Sequence, residues 1–172
     1  RGENVLDSYA MFECGDEKIA FVGITTPETF TKSTPAYFQD EDGNFIYGIS
    51  SGENGEDLQQ DVQNAIDEAK EEGATQIIAL GHLGMDLSSE PWTSESTIAN
   101  VTGLDAFIDG HSHTVMEGKL VDDKEGNDVL LTQTGEYFGG IGVMIIDDET
   151  EKAEILLHKG DGFMALLGEC IN

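Results

Sequence analysis

The 172-residue chain contains four histidines, at positions 82, 111, 113 and 158. Three of them share a context. His82 follows Gly81 directly after the apolar run Gln76-Ile77-Ile78-Ala79-Leu80. His111 follows Gly110 directly after Asp105-Ala106-Phe107-Ile108-Asp109, and His113 comes two residues later. Imidazole nitrogen is a good donor to zinc, manganese or iron, so His82, His111 and His113 are candidate metal ligands. If the two apolar runs are neighbouring parallel strands, both Gly-His pairs leave the carboxyl edge of one sheet, where open α/β sheets bind ligands. Glycine before each histidine permits an unusual turn and close backbone approach. In an extended segment alternate side chains share a face, which would aim His111 and His113 together.

One histidine at a strand end is ordinarily a hydrogen-bonded loop residue. Here the Gly-His pair is repeated on two apolar runs, with a third imidazole at alternate spacing, and that combination favours a metal site. His158 lacks the context and reads as structural. The trio on one ion would make a mononuclear zinc centre of the carbonic anhydrase kind. Asp86, Asp105 and Asp109 are near in sequence, but nothing singles one out as a ligand, and Asp109 suits an outer hydrogen-bond acceptor supporting the turn. Other chemistries find little support. There is no GxSxG elbow and no HExxH, and Gly135-Glu136-Tyr137-Phe138-Gly139-Gly140 opens no helix, so it reads as a turn rather than a phosphate cradle. Cys14 has no evident base partner and reads as inert.

The elements that would position these residues follow from periodicity. Residues 18–24 form a short apolar run rich in β-branched side chains and end at Thr25-Thr26-Pro27, which predicts a buried strand. Residues 31–55 are polar and Gly-containing, a long connection with a short strand at 45–49. Leu58, Val62, Ala65, Ile66 and Ala69 fall at helical spacing between Glu56 and Glu72, with Gly73 as the stop. Residues 76–80 and 105–109 read as strands buried on both faces. A short helix is expected over 94–101, and strands over 129–132, 141–146 and 154–158. Strand–helix–strand–helix–strand followed by a β meander is an α/β layered architecture in a single domain, 1–172.

Charge limits the partners. There are 35 Asp and Glu against 8 Lys and Arg, a net charge of −27. Such a surface repels nucleic-acid polymers and anionic membranes. A small phosphorylated substrate stays compatible, because bound divalent metal reverses the field locally. Residues 39–43, 53–57, 67–72 and 147–154 are the most acidic stretches and read as solvated surface. Two cysteines, Cys14 and Cys170, without CxxC spacing argue against a zinc ribbon or a disulfide framework. No apolar run reaches transmembrane length. The opening Arg1-Gly2-Glu3-Asn4 carries no initiator Met and no signal-peptide core, as expected of a processed or excised chain.

Leu80-Gly81-His82-Leu83-Gly84 and Ile108-Asp109-Gly110-His111-Ser112-His113-Thr114 resemble the two C-terminal metal motifs of the 5′-nucleotidase family of calcineurin-like metallophosphoesterases. Ile19 to Thr29 is similar to the family's strand after its catalytic Asn-His motif. Thr132-Gln133-Thr134-Gly135-Glu136-Tyr137 with Gly140-Ile141-Gly142 is similar to its next strand pair. The resemblance implies a layered α/β metallophosphoesterase sandwich of which this chain is the C-terminal half. It implies two divalent ions (Zn, Mn, Fe, Co or Mg), with His82 and His111 on one and His113 on the other, where relatives carry Gln or Asn. It implies phosphoester hydrolysis of a nucleotide-like substrate outside the cytoplasm, in the periplasm, cell wall or cell surface. The family's Asp-x-His, Gly-Asp and Gly-Asn-His-Glu/Asp motifs and its C-terminal substrate domain have no counterpart in these residues, so the isolated chain is expected to be inactive. The rival expectation is a non-catalytic binding module of the same fold. An uncovered strand 18–24 would favour self-association.

Overall fold

The alternation at residues 18–24 becomes β2 (Glu17–Thr25), which turns Ala20, Val22 and Ile24 inward. The computed structural model describes residues 4–147 and 152–158. Ahead of β2 lies a strand the apolar pattern does not announce, β1 (Tyr9–Cys14), paired antiparallel to it across a turn at Gly15. After β2 the chain makes one helical turn, α1 (Thr29–Lys32). The strand expected at 45–49 does not form: only an isolated Gln39–Phe45 bridge appears. Phe45 instead packs edge-on against Phe30 at 5.1 Å, and Phe30 against Phe38 at 5.0 Å. Aromatic side chains that favour strands are here spent on a local cluster.

Helix α2 (Glu56–Glu71) starts beyond Gly55, carries Glu56 and Asp57 in its first turn, and buries Leu58, Val62, Ala65, Ile66 and Ala69. Acidic residues at that end oppose the positive pole of the helix. Gly73, at φ 98°, follows its end. Next come β3 (Gln76–His82), α3 (Ser94–Ile98) and β4 (Ala106–Asp109). Thr93 caps α3, its hydroxyl accepting the Ser96 N–H at 3.2 Å. β5 (Val115–Asp122) and β6 (Asp128–Thr134) form a hairpin.

These strands make one six-stranded sheet in the order β1-β2-β3-β4-β6-β5. The four central strands, β2, β3, β4 and β6, are parallel, and the edges β1 and β5 are antiparallel to their neighbours. The expected meander of 129–132, 141–146 and 154–158 is therefore broken: β6 lies inside the six-stranded sheet, between β4 and the edge strand β5, and only the last two of those strands pair with each other. β7 (Ile141–Asp147) and β8 (Lys152–His158) pair as a separate ribbon beside β5 and β6. His158 lies in that ribbon, while Cys170, and with it any pairing to the exposed Cys14, lies outside the described residues.

The core fills one face of the sheet. Phe107, Ile66, Ile77, Leu83, Ile98, Val101 and Leu131 are fully buried there. Each such side chain contributes about 1.5–3 kcal/mol of transfer free energy. The opposite face over β1–β3 is only partly covered: Phe12 and Leu80 are 57% and 44% exposed.

Candidate metal centre

All four parallel strands end at the same edge, so the loops after β2, β3, β4 and β6 meet there. His82 is the last residue of β3. Its carbonyl accepts the Thr26 N–H at 3.1 Å, tying the loop after β2 to the end of β3. The buried Asp109 carboxylate, at the end of β4, accepts the N–H groups of Leu83 at 2.9 Å and Gly84 at 3.0 Å. Asp109 thus supports the turn beyond His82, as the sequence suggested. Asp105 serves the frame instead, accepting the Ile77 N–H at 2.7 Å.

Both Gly-His glycines are explained by close packing. A Cβ on Gly81 would lie 2.2 Å from the Phe107 ring, and one on Gly110 would lie 3.0 Å from Nδ1 of His82. The unusual backbone falls on the histidines themselves: φ is 80° at His111 and 56° at His113. The segment is therefore not extended, and alternation does not aim these two rings. Gln133 and Ser112 hold the loop. The buried Gln133 accepts from Thr114 N–H at 2.7 Å and from the Ser112 hydroxyl at 3.1 Å, and its amide reaches Asp109 at 3.5 Å. Ser112 in turn accepts the Met85 N–H at 3.2 Å.

The rings of His82 and His111 stand edge to face with centroids 4.9 Å apart. Partial desolvation, then the neighbouring His111, lowers the His82 pKa; Asp109 opposes this and His113 adds a little to it. The neutral, metal-competent imidazole is thereby favoured. Nε2 of His111 lies 2.9 Å from Oε2 of Glu28. Glu28 also accepts from the Ser89 hydroxyl at 2.7 Å and pairs with Lys32 at 3.0 Å. Burial pushes its pKa up, but the hydrogen bonds from Ser89, Lys32 and His111 outweigh that and hold it below the usual carboxylate value. His113 is turned to a different partner: its Nδ1 is 2.5 Å from Oε2 of Glu136, and its side chain is 54% exposed.

So two of the three expected donors come together, and the third is engaged separately on the same loop. Among the described residues no group of three or more His, Cys, Asp or Glu side chains is arranged to hold an ion. The paired imidazoles suit a divalent ion chemically but supply fewer donors than a tetrahedral shell requires. Glu28, Ser89, Gln133 and Glu136 were not singled out from the residue pattern. Glu28 and Gln133 carry one readable signal: each lies at or just beyond the carboxyl end of a parallel strand.

No family model matches the chain. Sequence comparison finds the trifunctional nucleotide phosphoesterase protein YfkN of Bacillus subtilis, 29% identical over 129 residues, which are 75% of this chain and 8% of that protein. The 5′-nucleotidase of Diplobatis ommata is 31% identical over 171 residues, covering 88% of this chain and 25% of that protein. The chain therefore spans a quarter or less of these two relatives. The fold matches the crystal structure of the calcineurin-like phosphoesterase YfkN with a TM-score of 0.65 and 19% identity, over 92% of this chain and 52% of that one. By relatives and by fold, the chain belongs to the 5′-nucleotidase group of calcineurin-like phosphoesterases.

Proposed function

We propose that the chain supplies His82, His111 and His113 to the two-metal centre of a phosphoester hydrolase of 5′-nucleotidase type. On this reading it is one part, the C-terminal half, of a metallophosphoesterase domain whose remaining ligands lie outside these residues. The observation that carries the reading is the pairing of His82 and His111 at the carboxyl edge, with ring centroids 4.9 Å apart. The separate engagement of His113 by Glu136 suits donors to two ions better than three donors to one. This disfavours the mononuclear alternative.

The role of the protein residues follows from their contacts. His82, kept neutral, offers a lone pair. Asp109 and Gln133 hold the two His-bearing loops at fixed separation. Divalent ions (Zn, Mn, Fe, Co or Mg), when bound, supply Lewis acidity for in-line attack of water on phosphorus. The strongly acidic surface then excludes polymeric nucleic acid while leaving a metal-dependent route for a small phosphorylated substrate. We assign that substrate to nucleotides, because relatives are named as nucleotidases and a nucleotide phosphoesterase. A periplasmic, cell-wall or cell-surface location belongs to the same proposal. Among the described residues no helix is long and apolar enough to cross a membrane.

A second reading is a binding module without catalysis, favoured by the lack of a three-donor group among the described residues. Hydrolysis of nucleotide monophosphates separates the two. The chain alone should be inactive. The chain joined to its upstream coding segment should hydrolyse them in a metal-dependent way that His111→Ala abolishes. Inactivity of that longer protein with metal supplied would favour the module.

A further inference from the structure

Glu28 lies on the loop after β2, 83 residues before His111 in sequence, yet touches the His111 ring. Its side chain is 17% exposed and that of His111 10%. An isolated Glu28–Lys32 pair at i,i+4 would be a weak surface contact. Here the carboxylate is instead folded inward between three segments. Oε2 accepts from the buried Ser89 hydroxyl at 2.7 Å and faces Nε2 of His111 at 2.9 Å, while Oε1 takes Lys32 at 3.0 Å.

An ionised carboxylate can only accept hydrogen bonds. Nε2 of His111 must therefore carry the proton, and the 3.4 Å approach of the Lys32 ammonium to that nitrogen is a contact between two donors. A neutral imidazole has one N–H, so Nδ1 keeps its lone pair. Carboxylates that accept the far N–H of a ligating histidine fix its tautomer and ring orientation and raise its basicity.

We propose that Glu28, clamped by Ser89 and Lys32, is a positioning residue that fixes His111 as the Nε2–H tautomer and so makes Nδ1 its metal-donating atom. The metal part rests on the centre proposed above.

The test reads both parts separately. Long-range proton–nitrogen NMR of the metal-free chain, at about pH 8 where ordinary histidines are neutral, reports each tautomer; zinc titration of the same samples reports affinity. The wild type should show His111 as Nε2–H. Glu28→Ala should bring His111 towards a tautomer mixture, leave the His82 signals in place, and weaken zinc by about 10–100-fold. Ser89→Ala, a milder change remote from the ring, should move His111 the same way by less. An Nδ1–H tautomer in the wild type would overturn the proposal. So would an unchanged tautomer and unchanged zinc affinity in Glu28→Ala. A Glu28-dependent tautomer in a protein that binds no zinc, even with its upstream segment, would uphold the positioning role and overturn the metal reading.

Discussion

Asp109 does more for the site than any ligand candidate does for itself. Its carboxylate takes two backbone N–H groups from the loop after β3, in a place shielded from water. Hydrogen bonds to a charged group are worth roughly 1.5–3 kcal/mol each, and a donor left buried without a partner costs about 1–3 kcal/mol. Asp109→Ala should therefore lower stability by about 3 kcal/mol or more in urea unfolding, and Asp109→Asn by less, since an amide oxygen replaces one acceptor only. Equal stability of Asp109→Ala and wild type would refute this role. At this scale the sequence told part of the story. His82 and His111 were readable because each follows a glycine at the end of an apolar run. Their convergence with Glu28 was not, because contacts made across strands leave no spacing in the chain. The glycines were readable as special, and of the two reasons the sequence offered, an unusual turn and close approach, the second holds: Gly81 and Gly110 make room for Phe107 and His82.

The elements divide by burial. β2, β3, β4 and α2 were legible because buried strands and an amphipathic helix impose an apolar pattern on their residues. The two strands that escaped notice, β1 and β5, are the two edges of the sheet. Edge strands are half solvated and carry polar or charged residues, Glu13 in β1 and Glu117, Lys119 and Asp122 in β5, which blunt pairing with other chains and erase the pattern. The β5–β6 turn has its own device. Asp123 accepts N–H groups of Glu125 and Asn127, the Asn127 side-chain amide and the Thr102 hydroxyl. Burial raises its pKa, but these donors prevail and hold it at about 2, against 3.8 ordinarily. The unfolded chain then binds more protons as the medium is acidified, so this stabilisation is complete above pH 3.8 and is lost as pH falls through about 2. The stability difference between wild type and Asp123→Ala should be constant near neutrality and shrink across that window in urea titrations at stepped pH. A difference that does not change would contradict the assignment.

At the scale of the molecule, the edge of β2 is not open: β1 pairs along it. Among the described residues a sheet face remains uncovered, where Phe12 packs edge-on against Phe21 at 5.6 Å beside the exposed Leu80. Apolar surface without cover promotes association. We expect the isolated chain to dimerise or form higher oligomers through this face, with its net charge of −27 opposing association at low salt and less so at high salt. Sedimentation should show association rising with salt, and Phe12→Glu with Leu80→Lys should return the chain to monomer. A monomer at high concentration in high salt would refute the expectation. The layered α/β architecture was legible from element order, whereas the insertion of β6 between β4 and β5 was not, since β5, the strand beyond it, left no apolar pattern to read.

The most direct measurement is metal stoichiometry, by elemental analysis of the chain joined to its upstream coding segment, with His82→Ala, His111→Ala and His113→Ala alongside. The account predicts two ions per protein, one lost or weakened by His82→Ala and by His111→Ala, the other by His113→Ala. A single ion weakened alike by all three substitutions, or no bound metal at all, would contradict it.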